Sequence, residues 1–160
     1  MDVEDIRKEY DNKFKIDKYR IDLVKKSNTI NEMAGHLCLI FDTVVEMKPK
    51  FIVELGTGNG NSTFAFIRGA DVVGCPFLTV DKDDRSYVFR ETSTVGGVNI
   101  EKCLLLQAED VELGQRWKDF TKEKGLPEII DILFIDTDHE RGHTKTEIIT
   151  YVPYLSENHL

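Results

Sequence analysis

The stretch VELGTGNGNST, residues 53–63, decides how this chain is read. A short apolar run, FIVEL at 51–55, carries Glu54 near its end and passes straight into Gly56, Gly58 and Gly60. STFAFIRGA at 62–70 follows and suits a helix opened by Ser62. Glycines in a strand-to-helix turn let the backbone approach a ligand closely and leave free amides at the helix N-terminus. A dinucleotide fingerprint needs its third glycine at position 61, where Asn61 stands, so G-x-G-x-x-G fails where the helix must pack closest. A P-loop fails as well, because Asn61-Ser62-Thr63 brings no lysine to a phosphate. The spacing is E-x-G-x-G-x-G.

Outward from this turn the chain alternates between two kinds of segment. FLTVD at 77–81 reads as a second strand, followed by a helix in DDRSYVFRETSTV; CLLLQ at 103–107 reads as a third, followed by a helix over 111–125 that closes at Gly125. DILFID at 131–136 is a fourth strand, and a last helix is expected over about 141–152. Before the first strand, residues 30–47 place Met33, Leu37, Ile40, Phe41, Val44 and Val45 on one helical stripe, with Asn31 as its cap. Ile6, Tyr10, Phe14 and Ile16 sit among charges at helical spacing, so the N-terminal residues read as one amphipathic helix or two short ones. Nearly all-apolar strands that alternate with helices predict an α/β fold: a Rossmann-like parallel sheet with helices on both faces, each strand buried on two sides. The expected organisation is a helical arm over 1–29 and one domain over 30–160.

Composition narrows the function. With 160 residues the chain builds one core. Its 29 acidic residues against 21 basic ones give a formal charge of −8, which repels a phosphate backbone, so nucleic acid is not an expected partner. The charged first residues lack the apolar centre of a secretory signal, and no later run reaches the length of a membrane span, so a cytoplasmic protein with no membrane partner is expected. Cys38, Cys75 and Cys103 are odd in number and scattered in apolar sequence, which predicts reduced packing residues. Trp117 and Phe120, three apart in a helix, are read as core.

The segment from Glu54 to Gly60 resembles, position by position, the first motif of class I S-adenosylmethionine-dependent methyltransferases, an acid followed by alternating glycines. That resemblance implies a cofactor site in which Gly56, Thr57, Gly58, Gly60, Asn61 and Ser62 lie against the methionine part. It implies that Glu54 either approaches the amino group or holds the loop. Asp81, at the end of the second strand, is then the acid that accepts the ribose hydroxyls, with Asp83 and Asp84 as alternatives for that work or as helix caps. Ala108 and Glu109 fall where related enzymes contact adenine through a backbone amide and a polar side chain.

DILFIDTDHERGH, residues 131–143, delivers Asp136, Asp138 and His139 to the carboxyl end of the fourth strand, the edge where open parallel sheets bind ligands. The run resembles the Asp-Gly-Asp-His of antibiotic-tailoring and sugar O-methyltransferases, and more loosely the Asp-Ala-Asp-Lys of the catechol type, with Thr137 in place of the small residue. The resemblance implies Asp136 and Asp138 as ligands of a magnesium ion, Asp136 also beside the cofactor, and His139 as the base for the acceptor hydroxyl. His36 and His143 carry no expected role. The expected activity is methyl transfer from S-adenosylmethionine to a hydroxyl of a small molecule. A non-catalytic cofactor-binding module and a nicotinamide-dependent oxidoreductase are the alternatives.

The resemblance covers residues 30–155 and stops at SENHL, about where a fifth strand should begin. The expectation is either a piece of a longer protein or a sheet completed by pairing with another chain, as in a homodimer, because a bare fourth strand leaves an open hydrogen-bonding edge.

Overall fold

The computed structural model describes residues 2–29, 35–138 and 140–157. The predicted cap Asn31, Met33 of the helical stripe and His139 lie outside the described residues. In chain order the elements are α1 (Val3–Ser27), α2 (Leu37–Met47), β1 (Ile52–Leu55), α3 (Asn61–Val73), β2 (Phe77–Asp81), α4 (Ser86–Thr94), β3 (Cys103–Gln107), α5 (Asp110–Gln115), α6 (Trp117–Lys124), β4 (Ile132–Ile135) and α7 (Arg141–Tyr151), with a 3-10 turn at Val152–Tyr154. The four strands are parallel in the order β3-β2-β1-β4. The chain moves outward from β1 through β2 to β3, then returns to the far side of β1, so the sheet has its switch point between β1 and β4.

Side-chain alternation along the strands splits the core in two. Val53, Leu55, Leu78 and Val80 face α5, α6 and α7, where Trp117 is fully buried against Phe51, Phe120 and Tyr151. Ile52, Phe77 and Ile132 face the other way, onto Val44 of α2 and Phe66, Ile67 and Ala70 of α3. The expected α/β arrangement is therefore present, with one correction. β1 is wholly buried, whereas the edge strands β3 and β4 are largely half-buried, because each has a sheet neighbour on one side only. At its start β4 is joined by the chain that leaves α7: the Ile130 amide donates to the Tyr154 carbonyl (2.8 Å) and the Ser156 amide to the Ile130 carbonyl (2.9 Å).

Three local features settle, correct or add to the sequence reading. α1 is one continuous helix whose second half packs through Tyr19 and Leu23 onto Phe41 and Phe64, while Ile6, Tyr10 and Phe14 are exposed. The single helix expected over 111–125 is two, α5 and α6, broken at Arg116 (φ −113°, ψ 22°). A helix is cheapest to interrupt near a glycine, and Gly114 is pressed against Thr150 and Tyr151 of α7, where no β-carbon fits. Finally α3, apolar almost throughout, carries a buried arginine. Arg68 lies 3.3 Å over the Phe64 ring and donates to the Val95 carbonyl at 2.7 Å, tying α3 to the end of α4.

The three cysteines are free, as expected. Burial pushes the Cys75 thiol up to about 11 and that of Cys103 to about 12, which keeps both protonated and unreactive near neutrality. No helix among the described residues is long and apolar enough to cross a membrane.

Candidate functional site

Each strand ends by handing one residue to a common rim. Register places Leu55 beside Val80 and beside Ile135, and Asp81 beside Gln107. The residues at or just after the strand ends, Gly56, Asp81, Ala108 and Asp136, consequently line one cleft of about 350 Å³, within the size range of small-molecule sites. Gly58, Glu109, Asp110, Thr137, Asp138, Lys82, Asp83, Arg85 and His143 complete its wall.

The glycine turn is shaped by three different constraints. Gly56 has φ +94°, and a β-carbon there would lie 2.2 Å from the Asp136 carbonyl oxygen, so only glycine lets β1 and β4 end side by side. Gly60 is buried, and its β-carbon would lie 2.4 Å from Val88 of α4. Gly58 also has a positive φ, +50°, but nothing lies within 4 Å of where its β-carbon would be. The space over Gly58 is the cleft. Its amide donates to Asp81 Oδ2 at 2.9 Å, which fixes the turn against the end of β2.

Glu54 does not reach the cleft. It is fully buried beneath the turn, where Ser62 Oγ donates to Oε1 and the hydroxyls of Thr63 and Thr79 donate to Oε2, each at 2.6 Å. Thr57 extends the same network through Thr79 at 2.7 Å. Of the two roles left open for Glu54, holding the loop is the one the geometry supplies. Burial pushes its carboxyl up to about 7, against the three hydroxyl donors, which favour the ionised form. Ser62 and Thr57 are committed to this buried network, and Asn61 opens α3 without lining the cleft. Among the residues expected to hold a cofactor, Gly56, Gly58, Asp81, Ala108, Glu109 and Asp136 share the cleft, and Glu54, Thr57, Gly60, Asn61 and Ser62 support it from behind.

Asp81 is held on three sides. Besides the Gly58 amide, it accepts from the Asp83 amide at Oδ1 (2.9 Å) and from Arg85 Nε at Oδ2 (3.2 Å). Asp83 also pairs with Arg85, and Asp84, ahead of the Arg85 N-cap of α4, accepts from the Ser86 amide at 2.9 Å. Six cleft residues are acidic against Lys82, Arg85 and His143, so the cavity favours a ligand carrying positive charge and opposes one carrying phosphates.

Asp136 and Asp138 both reach the cleft, but with no third acid, histidine or cysteine close enough to form a metal-binding group among the described residues. Asp138 Oδ1 already accepts the Glu140 amide at 3.1 Å. The two carboxylates foreseen as magnesium ligands share the cleft, and His139 beside them lies outside the described residues. The group that does assemble is one the sequence reading missed: Asp110 with His143 and Glu147. Its only linear trace is the four-residue spacing of His143 and Glu147 on one helical face.

No protein-family model matches the sequence, and no curated protein matches it. Solved structures do resemble the fold. An S-adenosylhomocysteine-bound methyltransferase of Podospora anserina, PaMTH1, superposes with a TM-score of 0.58 at 21% identity, covering 88% of this chain and 59% of that one. Cofactor-bound Rv0187 of MTB gives 0.57 at 18%, covering 82% and 60%. CalS11, a TDP-rhamnose 3'-O-methyltransferase of calicheamicin biosynthesis, gives 0.55 at 16%, covering 81% and 62%. The chain thus spans about three-fifths of the length of these structures. Over that span it shares with them a Rossmann-like α/β fold, here four parallel strands in the order β3-β2-β1-β4.

Proposed function

We propose that the cleft binds S-adenosylmethionine and that the protein transfers its methyl group to a hydroxyl of a small molecule. The observation that carries this reading is the acidic cavity over the open face of Gly58, at the switch point between β1 and β4. A sulfonium amino acid joined to a nucleoside brings positive charge and no phosphate, which is what such a cavity favours. The same charge argues against a nicotinamide dinucleotide, whose pyrophosphate would face Asp81, Glu109 and Asp136.

In this reading the bound cofactor supplies a methyl group already activated for transfer. The chain has to position and deprotonate the acceptor. Gly56 and Gly58 keep the turn free of side chains, Asp81 receives the ribose hydroxyls, and Ala108 and Glu109 border the base. Asp136, at the mouth between β1 and β4, and Asp138 are the carboxylates placed to orient the acceptor hydroxyl and take its proton, with His139 next to them in sequence. Cofactor binding without turnover is the outcome that the test has to separate from transfer. A methyl-transfer assay over catechol and sugar hydroxyls, run beside an S-adenosylhomocysteine titration, tests the proposal. Turnover with any acceptor supports transfer, binding with none supports the module, and neither contradicts both.

A further inference from the structure

Glu147 is fully buried, and its two carboxylate oxygens are treated differently by the structure. Oε2 accepts from Thr137 Oγ1 at 3.1 Å, while Oε1 accepts no hydrogen bond. A buried carboxylate oxygen that accepts no hydrogen bond is costly, and this one is crowded by the Asp110 carboxylate and faces His143. Oε1 points at His143 Nε2, 3.7 Å away, and the same nitrogen lies 3.1 Å from Asp110 Oδ2. One atom from each of the three residues falls within 4.8 Å of the others. An ion about 2.1 Å from each ligand holds neighbouring ligand atoms roughly 3.0–3.4 Å apart, so the three close on one ion with small side-chain shifts.

The ligands are also supported from outside. His143 and Glu147 stand one turn apart on α7, and the Tyr151 hydroxyl, one turn further, donates to the main-chain carbonyl of Asp110 at 2.7 Å. Such outer contacts are what hold metal ligands in orientation. One imidazole with two carboxylates suits a borderline transition metal over magnesium or calcium, which take oxygen ligands. We propose that Asp110, His143 and Glu147 bind one divalent transition-metal ion, of the zinc or manganese kind, that fastens α7 to the start of α5 beside the cleft. The proposal is independent of methyl transfer and of the residues Asp136 and Asp138.

Calorimetric titration of the cofactor-free protein with zinc and with manganese tests it, with thermal unfolding followed in parallel. The expected result is saturable binding of one ion and a raised unfolding temperature. His143→Ala and Glu147→Gln should each weaken binding by about tenfold or more, and Asp136→Asn and Asp138→Asn should leave it unchanged. Asp110→Asn serves as a third variant should either of the first two fail to fold. No saturable binding, equal affinity in the His143 and Glu147 variants, loss caused by Asp136→Asn instead, or magnesium binding as tightly as zinc would each overturn the proposal.

Discussion

The main-chain amide of Gly58 donates to Asp81 Oδ2 at 2.9 Å, so the turn after β1 and the acid that ends β2 form one unit at the sheet edge. Arg85 Nε reaches the same oxygen at 3.2 Å. Replacing Asp81 by Ala removes both contacts and the proposed ribose acceptor. S-adenosylhomocysteine affinity should fall by about 1–3 kcal/mol, measured by calorimetry; an unchanged titration would remove Asp81 from the site.

Arg85 competes for the oxygen that the ribose would use. Arg85→Ala is therefore expected to leave cofactor affinity unchanged or to raise it, the opposite of Asp81→Ala. A fall as large as that of the Asp81 variant would mean that Arg85 itself contacts the ligand.

The two glycines of the turn should separate folding from binding. Gly56→Ala drives a β-carbon into the Asp136 carbonyl at φ +94°, and should cost about 2–4 kcal/mol of stability in urea unfolding. Gly58→Ala meets no atom and should cost about 1–2 kcal/mol from its φ of +50° alone. It should nonetheless cost cofactor affinity, because the added methyl enters the cleft. Equal stability losses, or unaffected binding in the Gly58 variant, would contradict this assignment.

Burial raises the Glu54 carboxyl from an ordinary 4.5 to about 7. Between those values the unfolded chain has released a proton that the folded chain retains, so stability must fall as pH rises through the window. The contribution is on the order of 3 kcal/mol. Glu147, raised by burial and by the neighbouring Asp110 carboxylate, acts with the same sign. Urea unfolding at about pH 5 and about pH 7 should show this decline, and Glu54→Gln should reduce it, leaving the part due to Glu147. An identical decline in that variant would show that Glu54 is ionised in the folded protein.

Strands and turn were legible in the sequence because their physics is local. FLTVD and CLLLQ were found to the residue, since an apolar run between turn residues has few other conformations available to it in a compact fold. The glycine spacing picked out the turn that lines the cleft, but not that Gly56, Gly58 and Gly60 answer to a backbone, an open cleft and a neighbouring helix respectively. Those differences depend on what tertiary packing brings opposite each one. Ser62 and Thr63 after the turn, with Thr79 on the next strand, were the signal that Glu54 is bound from behind, and only pairing of β1 with β2 brings the third hydroxyl to it. The Asp110, His143 and Glu147 group was hidden for the same reason, its first member coming from a different βα unit.

The most direct test of the account is a pair of calorimetric titrations of the purified chain, one with S-adenosylhomocysteine and one with NADH. The open turn at Gly58 and the Asp81 carboxylate predict saturable binding of S-adenosylhomocysteine, abolished or weakened by Asp81→Ala, and the acidic wall predicts no measurable binding of NADH. Tighter binding of NADH, or no binding of S-adenosylhomocysteine at all, would contradict it.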